Sequence, residues 1–201
     1  MQHDARGERP LQTSGRLIYL IGPSGSGKDS VIDQARPALQ ALGVRIARRV
    51  ITRSAEAVGE AAHSVTPERF VELRAEGAFA LHWQANGLSY GIPVEIDDWL
   101  GQRHWVLVNG SRAHLPVARQ RYPDLIPVLL SVTPEVLRAR LVGRGRESGE
   151  EIEQRLARNR LMPGELGADV LSLDNSTTLD DAVERLLVLL HEAGLANQNE
   201  R

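Results

Sequence analysis

The stretch GPSGSGKDS, residues 22–30, decides how the rest of the chain is read. It follows a short apolar run, RLIYLI (16–21), and opens a helical pattern that begins near Lys28. Strand, then G-x-x-x-x-G-K, then helix is the context in which a glycine-rich loop wraps phosphates. Glycines at 22, 25 and 27 let the backbone fold into a nest of N–H groups, and the helix start adds its positive dipole end. Lys28 is placed to reach terminal phosphates and to offset charge during transfer. The nucleotide-binding set expected is therefore Gly22, Pro23, Ser24, Gly25, Ser26, Gly27, Lys28, Asp29 and Ser30. The bland alternative, a glycine turn with a surface lysine, gives no reason for a strand and a helix on either side.

One position departs from the usual pattern. A hydroxyl normally follows the lysine and holds Mg²⁺, but here Asp29 stands there and Ser30 comes one place late. Ser30 lies about 100° further round a helix, so it does not simply replace the missing hydroxyl. The Asp29 carboxylate either holds Mg²⁺, directly or through water, because hard cations take oxygen ligands, or it favours the helix N-terminus electrostatically. The first reading makes Asp29 the expected metal contact.

The bulk composition narrows the surroundings. A chain of 201 residues with 42% hydrophobic and 25% charged residues is an ordinary soluble globular protein, long enough for one α/β domain or two small ones. A net charge of −2 gives no global pull toward nucleic acid or an anionic membrane, so any anion site has to come from local clustering of Arg and Lys. No cysteine is present, which excludes disulfides, thiolate catalysis and Cys-ligated zinc. The first fifteen residues lack the apolar core of a signal peptide and read as a disordered tail. No apolar run approaches the ~20 residues that span a bilayer, and a cytoplasmic setting is expected.

Strand and helix patterns alternate along the rest. VRIARRVIT (44–52), HWVLVNG (104–110), LIPVLLSV (125–132) and ADVLSL (168–173) read as strands. The first helix should be kinked or divided by Pro37. TPERFVELRAEG (66–77) and TPEVLRARL (133–141) begin with Thr and Pro as helices do, and GEEIEQRLARNRL (149–161) and TLDDAVERLLVLLHEAGL (178–195) are amphipathic. FALHWQANGLSYG (79–91) reads as strand, Asn-Gly turn, strand. A mainly parallel sheet covered on both faces is the architecture implied. The hairpin points to a small inserted lobe over about residues 45–100 of a domain running from 16 to 201.

Arginines mark the other half of a site. Arg144 and Arg146 lie between Gly143, Gly145 and Gly149, a charged, glycine-hinged stretch that suits a lid over about 142–160 closing on phosphates. Arg155 and Arg158 behind it are equally well explained as solvated helix charges, Glu151 and Arg155 forming an i,i+4 pair. Arg53 follows the second strand and is placed to clamp an acceptor phosphate. Arg48 and Arg49 point to opposite faces of a regular strand, so at most one of them shares that site. Arg112 follows the carboxyl end of another strand, where ligands of open α/β sheets collect, and is a second clamp or a surface charge. The histidines show no metal-binding spacing, and His82-Trp83 reads as packing within the lobe.

With these motifs the chain resembles a nucleoside-monophosphate kinase of the guanylate kinase type. GPSGSGK is similar to its phosphate loop, VITR to its acceptor-binding strand end, GAFALHWQANGLSYG to its hairpin and GRGRESGEEIEQRLAR to its lid. The likeness runs nearly from residue 16 to 190. It implies a P-loop fold, ATP as phosphoryl donor, Mg²⁺, and Tyr90 among the acceptor-binding residues with Arg53 and Arg112. Two positions depart: the segment that supplies a tyrosine to the acceptor has Ala62, and the base-reading glutamate is replaced by Leu81. Loss of such polar groups discriminates by orders of magnitude, so GMP is a poor acceptor.

Within that superfamily GPSGSGKDS, ITR, ANGLSYG, VEID, VLVNGSRAHLP and GRGRE resemble the ribose 1,5-bisphosphate phosphokinases of phosphonate degradation, in which an Asp after the loop lysine is usual. The resemblance implies transfer from ATP to a small phosphorylated ribose, giving 5-phosphoribosyl 1-diphosphate, with Lys28, Arg144 and Arg146 as the catalytic cations. A nucleoside-monophosphate kinase with another base preference, and a guanylate-kinase-like scaffold without catalysis, stay open beside it.

Overall fold

The computed structural model describes residues 15–52, 62–145, 148–159 and 166–195. Its centre is β1 (Leu17–Ile21), whose five residues are all buried. On one side of it runs β7 (Val106–Asn109) and beyond that β2 (Arg45–Ile46); on the other lie β8 (Ile126–Ser131) and then β9 (Leu171–Asp174). All neighbours in this five-stranded sheet are parallel. A parallel sheet is covered on both faces, which is why its central strands are continuous apolar runs.

The alternation of β1 shows both faces at work. Ile18 and Leu20 pack with Val31 and Leu39 of α1 (Lys28–Ala41) and Leu186 and Leu190 of α7 (Leu179–Glu192). Leu17, Tyr19 and Ile21 pack on the opposite side with Ile96 of α3 (Glu95–Gly101) and Leu115 and Ala118 of α4 (Leu115–Arg121). Helix α7 is fixed at its start by a reciprocal cap: the Thr178 hydroxyl accepts from the Asp181 N–H and the Asp181 carboxylate accepts from the Thr178 N–H.

Pro37 does not divide α1, which runs unbroken through it. Proline removes one N–H from the ladder, but Pro37 lies on the exposed side, where water can take the freed carbonyl. Burial of Val31, Ile32, Ala35 and Leu39 along the other side holds the helix together.

A second, four-stranded sheet has the order β4 (Ala62–Ser64), β3 (Arg49–Ile51), β6 (Leu88–Pro93), β5 (Phe79–Ala85). The expected strand over 44–52 is in fact two short ones in two sheets. Arg45 and Ala47 still donate to carbonyls alongside β7, at Trp105 and Leu107, and after Arg48 the chain leaves to pair with β6. The hairpin between β5 and β6 turns at Asn86 (φ 51°) and Gly87 (φ 73°), the paired positive values of a tight two-residue turn. Helix α2 (Pro67–Ala75) is capped by Thr66 and covers the hairpin by stacking Phe70 on Phe79, centroids 4.7 Å apart.

Helices α5 (Pro134–Arg144) and α6 (Gly149–Asn159) form a pair with a small core of their own, Leu137, Leu141, Ile152 and Leu156. Arg138 of α5 forks onto the Glu153 carboxylate of α6 across their exposed side.

Candidate active site

The glycine-rich loop leaves the carboxyl end of β1 and enters α1 at Gly27, whose φ of 94° is left-handed. A side chain there would be strained, and its Cβ would lie 2.7 Å from Asn175 Nδ2. No side chain caps α1, so the N–H groups of its first turn face the loop's concavity unspent by a capping residue. Behind the loop, the Ser26 carbonyl accepts from Asn175 Nδ2 (2.7 Å) and from Arg140 Nη1 (3.0 Å), while Arg140 Nη2 donates to the Asn175 carbonyl (2.8 Å). Asn175 is buried and follows β9, so a residue far along the chain locks the loop's peptide planes. Lys28 Nζ donates to the carbonyls of Gly22 (2.9 Å) and Pro23 (3.1 Å), which keeps the ammonium at the loop itself.

The loop forms one wall of a cavity of about 620 Å³. Facing it are Arg49 and Ile51 of β3, Trp83 and Ala85 of β5, Leu88 and Tyr90 of β6, and the Gly110–Ala113 turn after β7. Among the described residues, Lys28, Arg49, Arg112 and Arg155 line it, with Asp29 as the carboxylate. In a chain of net charge −2 that is a strong local excess of cations, as an anion-binding site requires. Partial burial lowers the Arg112 guanidinium from its ordinary value, yet arginine stays charged at any physiological pH.

The turn after β7 is held from beneath by Tyr19. Its ring is fully buried, its hydroxyl accepts from the Ser111 N–H at 3.1 Å, and burial pushes its pKa up to about 12. A Cβ on Gly110 would come within 2.3 Å of that ring, so only glycine permits the approach. Aromatic groups make the opposite wall. The Trp83 and Tyr90 rings stack at 5.5 Å and 4°, His114 stacks on Trp83 at 5.5 Å, and the Arg49 guanidinium lies 5.8 Å from the Tyr90 centroid. Burial, and secondarily the charge of His82, lowers the His114 pKa and favours its neutral form.

The structure brings Gly22, Ser24, Gly25, Gly27, Lys28, Asp29, Ser30, Tyr90 and Arg112 to this one cavity; Pro23 and Ser26, the latter fully buried, belong to the loop but are not among the lining residues. Arg53 and Arg146 lie outside the described residues, as does the side chain of Arg144. Arg144 itself is the last residue of α5, which continues through Gly143 to the left-handed Gly145 (φ 59°) rather than ending at Leu141. Trp83 lines the cavity, and so does more than pack within the lobe. Of the strand arginines it is Arg49 that enters, as opposite facing of 48 and 49 requires. Arg155, equally readable as a solvated charge, lines the cavity and donates to Ser24 Oγ at 3.2 Å. Leu81, at the base-reading position, is 2% exposed inside the apolar core and offers a base nothing.

No family model matches the chain. Curated relatives match it strongly and share one name. The chain is 64% identical over 181 residues to the ribose 1,5-bisphosphate phosphokinase PhnN of Pseudomonas fluorescens (strain SBW25), covering 88% of this chain and 95% of that one. It is 60% identical over 182 residues to the protein of that name from Azotobacter vinelandii (strain DJ / ATCC BAA-1303), covering 90% and 99%. The chain belongs to the ribose 1,5-bisphosphate phosphokinase PhnN family. Among solved structures, guanylate kinase from Anaplasma phagocytophilum aligns with a TM-score of 0.64 at 16% identity, covering 92% of this chain and 89% of that one. At that identity the likeness is one of fold, and it is the guanylate-kinase-like P-loop fold.

Sequence reasoning passed over Arg140, Asn175 and Asn109 in this kinase. Asn109 stands inside VLVNGSRAHLP, but its contact with the loop depends on the sheet order, and Asn175 and Arg140 reach the loop from the carboxyl side of the sheet and from α5. Asn175 does carry a signal, a polar residue directly after a strand of a parallel sheet.

Proposed function

We propose that this chain transfers the γ-phosphoryl group of ATP to an oxygen of the C1 phosphate of ribose 1,5-bisphosphate, giving 5-phospho-α-D-ribose 1-diphosphate and ADP, as a cytoplasmic step of phosphonate breakdown. The observation that carries this reading is the shared cavity. The loop and Lys28 line one side, while Arg49, Arg112, Trp83 and Tyr90 line the other. A donor chain of phosphates and a phosphorylated sugar fit such opposed walls, and the family's name supplies the acceptor.

The attacking oxygen of a phosphate monoester is already anionic near neutral pH, its second pKa being about 6. No general base is needed. Catalysis is then positioning and charge neutralisation, which is what a transferring phosphoryl group asks of a protein. Lys28 compensates the terminal phosphates of the donor, and Arg144 and Arg146 are assigned to the charge that builds on the transferring group. Arg53, Tyr90 and Arg112 are assigned to the acceptor. Among the described residues no cluster of three or more His, Asp or Glu side chains could hold a cation alone. That fits Mg²⁺ carried on the donor phosphates and touched by few protein groups, here Asp29, which lines the cavity. When bound, the ion neutralises charge between the donor's outer phosphates.

An ADP-release assay over ribose 1,5-bisphosphate, GMP, AMP, dTMP and gluconate tests the reading. Turnover is expected with the bisphosphate. Activity confined to a nucleotide acceptor would overturn it. Arg146→Ala should lower turnover more than ATP affinity if that residue serves the transferring group.

A further inference from the structure

Asp29 has a second occupation that its place in the loop does not announce. Its Oδ1 accepts from Asn109 Nδ2 at 2.6 Å and from Arg49 Nη2 at 3.1 Å. Asn109 ends β7 of the large sheet and is 4% exposed; Arg49 opens β3 of the small one. A run of contacts, Asn109 to Asp29 to Arg49 to the Tyr90 ring, therefore joins the two sheets beside the cavity.

The bland account is an ion pair that contributes little, as exposed pairs screened by water do. Three observations speak for more. The Arg49 side chain is only 14% exposed, against 59% for its partner, so the cation is the sheltered member. Its Nε is buried and has no hydrogen-bond partner, while the residue itself lines the cavity. Arg112 and Arg155 line the same cavity, so three guanidiniums serve one space. A planar guanidinium held through one nitrogen by a carboxylate, on a residue that lines a cavity, is the arrangement that recognises phosphate oxygens.

We propose that Arg49 clamps a phosphate of the acceptor and that Asp29, itself oriented by Asn109, is the positioning residue that holds the Arg49 guanidinium in place. This rests on the reading of the acceptor as a phosphorylated sugar. It also separates the two uses of Asp29: one carboxylate oxygen serves the acceptor side, whatever the carboxylate does for Mg²⁺.

Calorimetric titration with ribose 1,5-bisphosphate, in EDTA and without nucleotide, isolates this role because no metal contact contributes. Arg49→Ala should weaken acceptor binding about 10- to 100-fold, as loss of a charge-assisted fork does. Arg49→Lys should recover only part of it, since an ammonium cannot serve carboxylate and phosphate in one plane. Asp29→Ala should weaken binding about 3- to 10-fold alone and add almost nothing in the Arg49→Ala background, the non-additivity of residues acting as a unit. Unchanged metal-free binding in Asp29→Ala, or in Arg49→Ala, overturns the proposal, as does full additivity of the two. Thermal unfolding of each variant checks that the fold is retained, and Arg49→Lys keeps the question answerable if Arg49→Ala unfolds. If the wild-type chain turns over a different phosphorylated acceptor in the ADP-release assay, the assigned acceptor fails, and the same titration with that compound decides Arg49.

Discussion

The two sheets meet at one cavity and furnish it by different means. The parallel sheet contributes backbone: a glycine loop, an uncapped helix start, and a carbonyl at Ser26 pinned by Asn175 and Arg140. The smaller sheet contributes side chains, Arg49, Trp83 and Tyr90, carried on strands of three to seven residues. A backbone nest suits phosphates whatever is attached to them, whereas single side chains such as Arg49 and Tyr90 can be exchanged more readily than a backbone path. In the proposed assignment the donor side rests on backbone and the acceptor side on side chains.

Removing a donor-side charge should break this contrast most sharply. Lys28→Ala is expected to lower turnover about 10²- to 10³-fold, the scale of removing a preorganised charge-stabilising group. Its thermal midpoint should stay close to wild type, because the ammonium serves the loop and not the core. Normal turnover in that variant would remove the loop from the chemistry.

Tyr19 sharpens the link between the main core and the cavity. Its folded pKa is about 12 against an ordinary 10, with burial the main cause. The buried hydroxyl stays neutral where the unfolded one ionises, so its contribution is complete below pH 10 and is lost as pH rises through 12. Urea unfolding should show a loss of up to about 2 kcal/mol across that window. Tyr19→Phe should flatten the loss; an unchanged slope would assign it elsewhere, for example to Tyr122, which is also raised to about 12.

Asn175→Ala removes a buried donor from the Ser26 carbonyl. A stability loss of about 1–3 kcal/mol is expected from the broken buried hydrogen bond. A rise of about tenfold in the nucleotide KM should accompany it, equivalent to ~1.4 kcal/mol. An unaltered nucleotide KM would show that the loop holds its shape without this brace. The smallest effect belongs to the acceptor wall. Trp83→Ala should raise the acceptor KM about 2- to 10-fold, the worth of an aromatic contact, and leave the nucleotide KM alone. A matching change in both would mean that the two walls are not separable.

The same contrast explains what could be read in advance. The loop was legible because its function needs contiguous small residues, and the alternating strands and helices followed from periodicity. The arginine that reaches the acceptor wall was narrowed to one of two by strand geometry alone. What resisted reading was assembled across the fold. Asn109, at the end of β7, and Asn175, just after β9, are about 65 residues apart in sequence and meet the loop only when the sheet is ordered β7-β1-β8-β9. The break of 44–52 into two strands depends on pairing with β6, which no local pattern encodes. The division expected at Pro37 does not occur, because its exposed place on α1 is a tertiary fact.

Of the three tryptophans, Trp105 packs against one core and Trp99 and Trp83 against the other, and Trp83 also lines the cavity. Its indole, stacked on Tyr90 and touched by His114, carries a native fluorophore at the acceptor wall. Emission from the unlabelled enzyme should thus report acceptor arrival in real time, with Trp83→Phe as its own blank.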